Sequence, residues 1–127
     1  MSEMSSKSLR VAIPTKGFKG VKDTVSEVFS RSKTLTIVDF IEDKPEIVEI
    51  IENKASDLRH GAGPIVAKTL KDKGVELIVS GELGPGASTL LETIGIRSEL
   101  VDPGIRVSKA LEIARAGMHE HTNVATV

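Results

Sequence analysis

The segment VELIVS, at residues 75–80, is the feature that most constrains how this chain folds. Its apolar residues are nearly continuous, which is typical of a strand that is buried on both faces of a parallel sheet. Segments with helical periodicity come before and after it. In the first of them, Ile65, Val66, Thr69 and Leu70 fall on one helical face. Strands that alternate with helices predict parallel pairing through right-handed crossovers.

Two earlier segments predict an antiparallel pair. TLTIVDFI (residues 34–41) and PEIVEIIE (residues 45–52) are rich in apolar residues and are separated by a short polar turn, so they predict a β-hairpin. LRVAIP (residues 9–14) predicts the first strand, and residues 96–102 predict the last. The sequence therefore predicts an α/β fold with elements in the order β-β-β-α-β-α-β-α. Its sheet would be mixed and five-stranded, with one antiparallel strand.

Proline and glycine mark the predicted ends of the three helices. Pro64 suits the first turn of the first helix, Gly74 suits the position just past its end, and Gly95 ends the second. The third helix is predicted over residues 107–116, and Gly117 is its predicted stop.

The length of 127 residues fits one domain. We expect a disordered N-terminal tail at residues 1–8, a single α/β domain at residues 9–117 and a flexible C-terminal tail at residues 118–127. Between the first two strands the sequence has no clean period. It predicts a long loop with one helical turn near residues 25–29, and loops of this length are often functional.

The chain has no cysteine, tryptophan or tyrosine. The lack of cysteine excludes structural disulfides, thiolate ligation of zinc or of an iron–sulfur cluster, and a cysteine nucleophile. A net charge of −1 and only three phenylalanines argue against a nucleic-acid binder. No apolar run reaches the roughly 18–20 residues that span a bilayer, and the first residues lack the apolar segment of a secretory signal. We therefore expect a cytoplasmic protein with no nucleic-acid or membrane partner.

Two glycine-rich turns stand directly before predicted helices: HGAGP at residues 60–64 and GELGPGAS at residues 81–88. A glycine turn that ends at a helix start leaves backbone N–H groups pointing outward, where they can hold an anion. The same turns can equally be plain connections from strand to helix. The candidate binding residues in them are His60, Gly61, Gly63, Gly81, Gly84, Pro85 and Gly86.

Several charged or imidazole side chains are further candidates. His60 has the chemistry either to ligate a metal or hydrogen-bond an anion, or to cap the helix that follows. Arg31 and Lys16 lie in or beside the long loop, and they would add positive charge if this loop folds over the same sheet edge. His119 and His121 form an H-x-H pair in the predicted tail, without a third ligand nearby in the sequence.

No complete catalytic motif is present, since the sequence has neither a G-x-S-x-G elbow nor H-E-x-x-H. Glu82 and Asp102, both near predicted strand ends, are the weak candidates for a carboxylate pair. The residues favour a non-catalytic binding domain. Two alternatives stay open: a protein-interaction module without a small ligand, and a small hydrolase or transferase that acts on a phosphorylated substrate with His60 or Glu82 as acid or base.

Taken together, the motifs resemble those of the nitrogenase accessory factor family, which is related to dinitrogenase iron–molybdenum cofactor-binding and biosynthesis proteins. VAIPTKG, VSEVFSRS, TIVDF, IEN, HGAGP and SGELGPGAS occur in the family's order over about residues 9–117. HGAG and the GxxGPxA pattern are the most specific parts, and the second is matched by Gly81, Gly84, Pro85 and Ala87. The resemblance implies a ribonuclease H-like three-layer fold and the handling of an iron–molybdenum cofactor or its precursor.

One segment departs from the family's pattern. Where many members have S-x-H-F-G-R, this chain has Val28 at the histidine position and Ser30 at the glycine position. Valine cannot ligate metal, so His60 is the single candidate metal ligand that matches the motifs. Backbone N–H groups and cations can still hold an anionic cluster without a direct bond. We expect the ligand to be a compact anion or an iron–molybdenum or iron–sulfur cluster precursor, with a protein partner or a homodimer as the alternative.

Overall fold

The computed structural model describes residues 8–58 and 61–126, and for Pro85 and residues 118–126 it describes the backbone alone. The strands are β1 (Ser8–Thr15), β2 (Thr34–Ile41), β3 (Lys44–Glu52), β4 (Leu77–Ser80) and β5 (Arg97–Leu100). The helices are α1 (Ala62–Asp72), α2 (Pro85–Thr93) and α3 (Val107–Thr126). The predicted N-terminal tail lies outside the described residues except for Ser8, which belongs to β1.

The strand order in the described sheet is β3-β2-β1-β4-β5. β2 pairs antiparallel with both β1 and β3, whereas β4 pairs parallel with both β1 and β5. β2 therefore runs against the other four strands, which confirms a mixed five-stranded sheet with one antiparallel strand. An irregularity in β3 shifts its register opposite Ile37 and Val38.

Two apolar clusters cover opposite faces of the sheet, because successive side chains of a strand point to opposite sides. On the face that we call the α1–α2 face, Ala12 and Ile78 pack against residues of α1 and α2, including Val66, Leu70 and Leu91. On the α3 face, strand and loop residues pack against α3, and the buried members are Val11, Ile13, Val25, Val38, Phe40, Leu77, Val79, Val101, Val107, Ala110, Leu111 and Ala114. The domain thus has three layers.

Glycine ends the first two helices as predicted. Gly74 and Gly95 follow α1 and α2 with φ of 77° and 84°, a left-handed conformation that glycine adopts without steric cost. The predicted helix end at Gly117 is wrong, because α3 continues to Thr126. A Cβ on Gly117 would lie 2.9 Å from Oε1 of Glu99, so this glycine lets α3 pass close to β5.

The long loop between β1 and β2 contains 3-10 turns at Gly20–Lys22 and Phe29–Arg31, and the turn predicted near residues 25–29 is wrong. Val25 instead forms a β-bridge with Thr15, which requires an extended backbone and so excludes a helical turn there. Phe29 is 1% exposed and anchors the end of the loop in the core of the α1–α2 face.

Ion pairs tie the opposite end of the sheet together. Nε and Nη2 of Arg10 donate to the two carboxylate oxygens of Asp39 at 2.7 and 3.0 Å, and Nη1 donates to the carbonyl of Lys73 at 2.9 Å. The hydrogen bond with Asp39 raises the pKa of Arg10 above its already high value, so the guanidinium stays charged. No helix in the described part of the chain combines the length and the apolar character that a membrane span needs.

Candidate functional site

Four parallel strands end at one edge of the sheet, which we call the carboxyl edge. There the chain leaves β1 at Lys16, β3 at Asn53, β4 at Gly81 and β5 at Val101. Ligands of open α/β sheets bind outside this edge. The connections after β3 and β4 lead into α1 and α2, which both cover the same face. Both glycine turns therefore lie at the carboxyl edge on the α1–α2 face.

Neither α1 nor α2 has a side-chain cap at its start among the described residues. Gly61 precedes α1 with a left-handed φ of 79°, and Gly84 precedes α2, whose first residue is Pro85. A helix start without a side-chain cap leaves backbone N–H groups available, and the helix dipole adds partial positive charge. Two such starts at one edge are complementary to an anion.

Three glycines in these turns face open space. Apart from the adjacent residues and the backbone of the same helix, a Cβ on Gly63, Gly84 or Gly86 would meet no described atom within 4 Å; Gly61 is equally open, but none of these three has its left-handed φ. Gly63 has a local reason to be glycine, since a larger residue before Pro64 disfavours the helical conformation. Gly84 also has one, since it occupies a helix-capping position where glycine is acceptable. Gly86 has neither reason. Glycine costs about 0.5–1 kcal/mol relative to alanine in the middle of a helix, and Gly86, as the second residue of α2, falls at the low end of this range.

Gly81 differs from these three because the chain itself packs against it. A Cβ there would lie 2.7 Å from the carbonyl oxygen of Ser26 and 3.1 Å from that of Glu27. Backbone atoms at that distance cannot simply turn aside, so a side chain at this position would push the loop away. Chain packing explains Gly81 without any ligand.

The loop segment at residues 26–31 contacts the connections that lead into both helices. The N–H of Phe29 donates to the carbonyl of Glu82 at 3.4 Å, just before α2. Nη1 of Arg31 donates to the carbonyls of Ser56 (3.4 Å) and Leu58, just before α1. The structure thus brings Arg31 to the side of the HGAGP turn. Its described hydrogen bonds go to the backbone, so it positions this connection as well as adding charge.

Val28, at the position of the family's histidine, lies at the same edge. It forms a β-bridge with Glu82 and is 40% exposed. The position is therefore beside the GELGPGAS turn and open to solvent, but the valine offers no lone pair to a metal.

The remaining predicted site residues are less closely tied to the turns. Lys16 is exposed at the end of β1, and its N–H donates to the carbonyl of Thr24 at 3.3 Å. His60 lies outside the described residues, as do the side chains of His119 and His121. Among the side chains that are described, no three histidine, aspartate or glutamate residues form a group that could hold a metal ion.

Ser80, the last residue of β4, is a candidate that the sequence motifs do not single out. It is fully buried, and among the described buried side chains its Oγ has no hydrogen-bond partner. Ile78, two residues earlier, packs on the α1–α2 face, while Val79 packs on the α3 face. Strand alternation therefore directs Ser80 to the α1–α2 face, immediately below the GELGPGAS turn. The alternation is visible in the sequence, but the missing partner is not.

Two cavities among the described residues have walls that include no residue of the glycine turns. The larger, about 630 Å³, lies on the α3 face between α3 and the β2–β3 hairpin, and its walls include Phe40, Pro45 and Leu111. The smaller, about 360 Å³, lies beside α1 and is lined by residues that include Leu58 and Ile65. The predicted site is therefore an edge between two helix starts and not one of these cavities.

Comparison with known proteins assigns the chain to a family. Residues 7–117 match the model of a family described as "Dinitrogenase iron-molybdenum cofactor". An uncharacterised protein of Methanocaldococcus jannaschii is 29% identical over 90 residues, which cover 71% of this chain and 72% of that protein.

Solved structures agree with this match. The apo form of the orange protein from Desulfovibrio gigas has a TM-score of 0.74 at 28% identity, covering 85% of this chain and 88% of that one. A Thermotoga protein proposed to be NifB has a TM-score of 0.67 at 30% identity, covering 86% of this chain and 89% of that one.

Proposed function

Because this chain belongs to the dinitrogenase iron–molybdenum cofactor family, we propose that it is a non-catalytic carrier of a compact anion or metal-cluster precursor. The cargo would bind at the carboxyl edge between the starts of α1 and α2. The observation that carries this proposal is the open backbone at both turns, where a Cβ on Gly63, Gly84 or Gly86 would meet no described atom within 4 Å beyond its own neighbours and helix backbone. The strand order β3-β2-β1-β4-β5, with helices on both faces, supports the ribonuclease H-like assignment that the resemblance implies.

The donor groups of this chain fit a cargo held by charge and hydrogen bonds better than one held by direct ligation. The chain has no cysteine, and the family's histidine position is Val28. Thiolates are the usual protein ligands of iron–sulfur clusters, and a single imidazole at His60 is a weak substitute. Backbone N–H groups at a helix start bind anions of many shapes, since they need acceptor atoms and negative charge only.

The affinity must come from several contacts acting together. One exposed charge at a helix end gains about 0.3–1 kcal/mol, whereas micromolar binding corresponds to about 8 kcal/mol. Both helix starts are therefore needed, together with the charge of Arg31 and Lys16. Long-range attraction by these exposed cations is screened over about 8–10 Å at physiological salt, so affinity should fall as salt rises.

The proposal is tested first by the elemental content of the protein as purified without added metal, measured by mass spectrometry. Purified apoprotein is then titrated with molybdate, inorganic phosphate and isolated iron–molybdenum cofactor. We expect at least one of these probes to bind, and Gly84→Val to weaken that binding at least tenfold by filling the open space above α2. Ser98→Val, at an exposed position of the edge strand β5, is the control for added bulk and should leave binding unchanged.

Two results would overturn the proposal. One is a wild-type protein that contains no iron or molybdenum and binds none of the three probes. The other is equal affinity of wild type and Gly84→Val for a probe that does bind. A metal-free protein that co-purifies with a second polypeptide would favour the interaction-module alternative.

A further inference from the structure

We propose that the hydroxyl of Ser80 is part of the cargo site and donates a hydrogen bond to an acceptor atom of the bound anion. This inference rests on the proposed function. It adds a buried side chain to a site that is otherwise formed by the starts of α1 and α2. It also narrows the class of cargo to anions that carry exposed oxygen or sulfur acceptors, because a hydroxyl donor needs such an atom opposite it.

The position of Ser80 in the fold supports this role. It is the last residue of β4, an inner strand between β1 and β5, at the carboxyl edge, and the GELGPGAS turn begins at the next residue. Strand alternation directs its side chain to the face covered by α1 and α2, where Ile78 also packs. Ser80 therefore lies on the same edge and the same face as both glycine turns.

The hydrogen-bonding state of Ser80 is the second observation. Its Oγ is buried and has no partner among the described residues. Buried hydroxyls are almost always paired, so an unpaired one at a candidate site needs an explanation. A cargo atom that accepts this hydrogen bond would supply it.

The contact requires a local opening, since Oγ of Ser80 is closed to solvent in the structure. Glu82 and Gly84 in the turn above it are exposed, and a Cβ on Gly84 would meet nothing within 4 Å. Glu82 accepts a hydrogen bond from Phe29 and Leu83 packs on the core of the α1–α2 face, so the opening would have to occur at Gly84. Gly81 would stay in place during this movement because it is packed against the carbonyl oxygen of Ser26.

The test compares Ser80→Ala with Thr36→Val, two variants that each remove a fully buried hydroxyl from the sheet. Oγ1 of Thr36 is hydrogen-bonded to Oγ1 of Thr15 at 2.9 Å, whereas Oγ of Ser80 has no partner in the part of the chain that the structure describes. Thermal unfolding of the apoproteins and titration with molybdate, inorganic phosphate and isolated iron–molybdenum cofactor are measured for both variants and for the wild type.

We expect Ser80→Ala to keep or raise the Tm of the apoprotein and to weaken probe binding about tenfold or more, the value of a hydrogen bond to a charged group. Thr36→Val should lower the Tm and leave binding within about twofold of wild type. A Ser80→Ala protein that binds the probe as tightly as wild type overturns the role of Ser80 and leaves the carrier function standing. A Ser80→Ala protein with a clearly lowered Tm also overturns it, because the hydroxyl would then be a structural partner. Failure of the wild type to bind any probe overturns both proposals.

Discussion

The two sides of the carboxyl edge differ in how completely their buried polar side chains are paired. On the α3 side, Oγ1 of Thr15 lies 2.7 Å from Oγ1 of Thr34 and 2.9 Å from Oγ1 of Thr36. Thr34 also donates to the carbonyl of Gly17 at 2.6 Å, and the carboxylate of Asp23 accepts from the N–H groups of Lys19 and Thr24. This side is closed by hydrogen bonds within the chain.

On the α1–α2 side the buried amide of Asn53 is paired, since its Nδ2 donates to the carbonyls of Ser30 and Ser32, but one buried hydroxyl is not. Oγ of Ser80 has no partner among the described residues, and the backbone at Gly63, Gly84 and Gly86 faces open space. A fold normally satisfies its buried polar groups, as this one does for the three threonines on the other face. The difference indicates that the α3 side serves stability, whereas the α1–α2 side is the better candidate for function.

The largest expected effect on stability distinguishes the packed glycine, Gly81, from the open glycine, Gly86. Gly81→Ala should lower the free energy of unfolding by about 3 kcal/mol, since its Cβ would lie 2.7 Å from a backbone oxygen. Urea denaturation measures the change. Gly86→Ala, in the following helix turn, is the matched control, and equal effects of the two substitutions would contradict the distinction.

Asp23→Ala tests how strongly the α3 side is closed. Two backbone N–H groups would lose a charged acceptor at 3.0 and 2.8 Å, so we expect a loss of about 2 kcal/mol in the free energy of unfolding. Asp23→Asn keeps one acceptor oxygen and should lose less. If both variants unfold at the same urea concentration as wild type, the carboxylate does not hold this loop.

Thr34→Val removes one hydroxyl of the threonine cluster. The carbonyl of Gly17 would lose its donor, and we expect a destabilisation of about 1 kcal/mol in thermal or urea unfolding. Thr93→Val, at an exposed threonine that bonds within α2, serves as the comparison and should change stability by less than half as much. The reverse order would show that the cluster contributes little.

The smallest effect has the opposite sign. Gly86→Ala should stabilise the apoprotein by about 0.5 kcal/mol, because alanine is favoured inside a helix and its Cβ meets no atom. The same substitution should weaken cargo binding in the titrations described above. A destabilised apoprotein would mean that Gly86 has a packing role in the fold, which would remove one support for the site.

Local sequence patterns predicted most of the fold, since each depended on residues that are near one another in the chain. The bounds of β2, the buried strand β4 and the glycines after α1 and α2 all follow from such patterns. The predictions that were wrong depended on distant residues. α3 continues through Gly117, where a Cβ would meet the side chain of Glu99, and Val25 is extended where it pairs with Thr15.

For the candidate site, the sequence predicted which residues belong to it but not which of them pack against the rest of the chain. The sequence grouped Gly81 with Gly84 and Gly86, yet a carbonyl oxygen 55 positions earlier in the chain, that of Ser26, makes Gly81 a packing residue. The sequence did not identify Ser80 as a site residue because a serine at the end of a buried strand is an ordinary feature. The alternation of β4 shows which face it occupies, but no sequence pattern shows whether a buried hydroxyl has a partner.

The sequence by itself determined the order of strands and helices, the family, and the lack of thiolate chemistry, because periodicity, motifs and composition are properties of the chain alone. The tertiary structure decided which glycines are packed and which are open, and which buried hydroxyls are paired. These properties depend on atoms that folding brings together from distant positions, so they exist only in the folded protein.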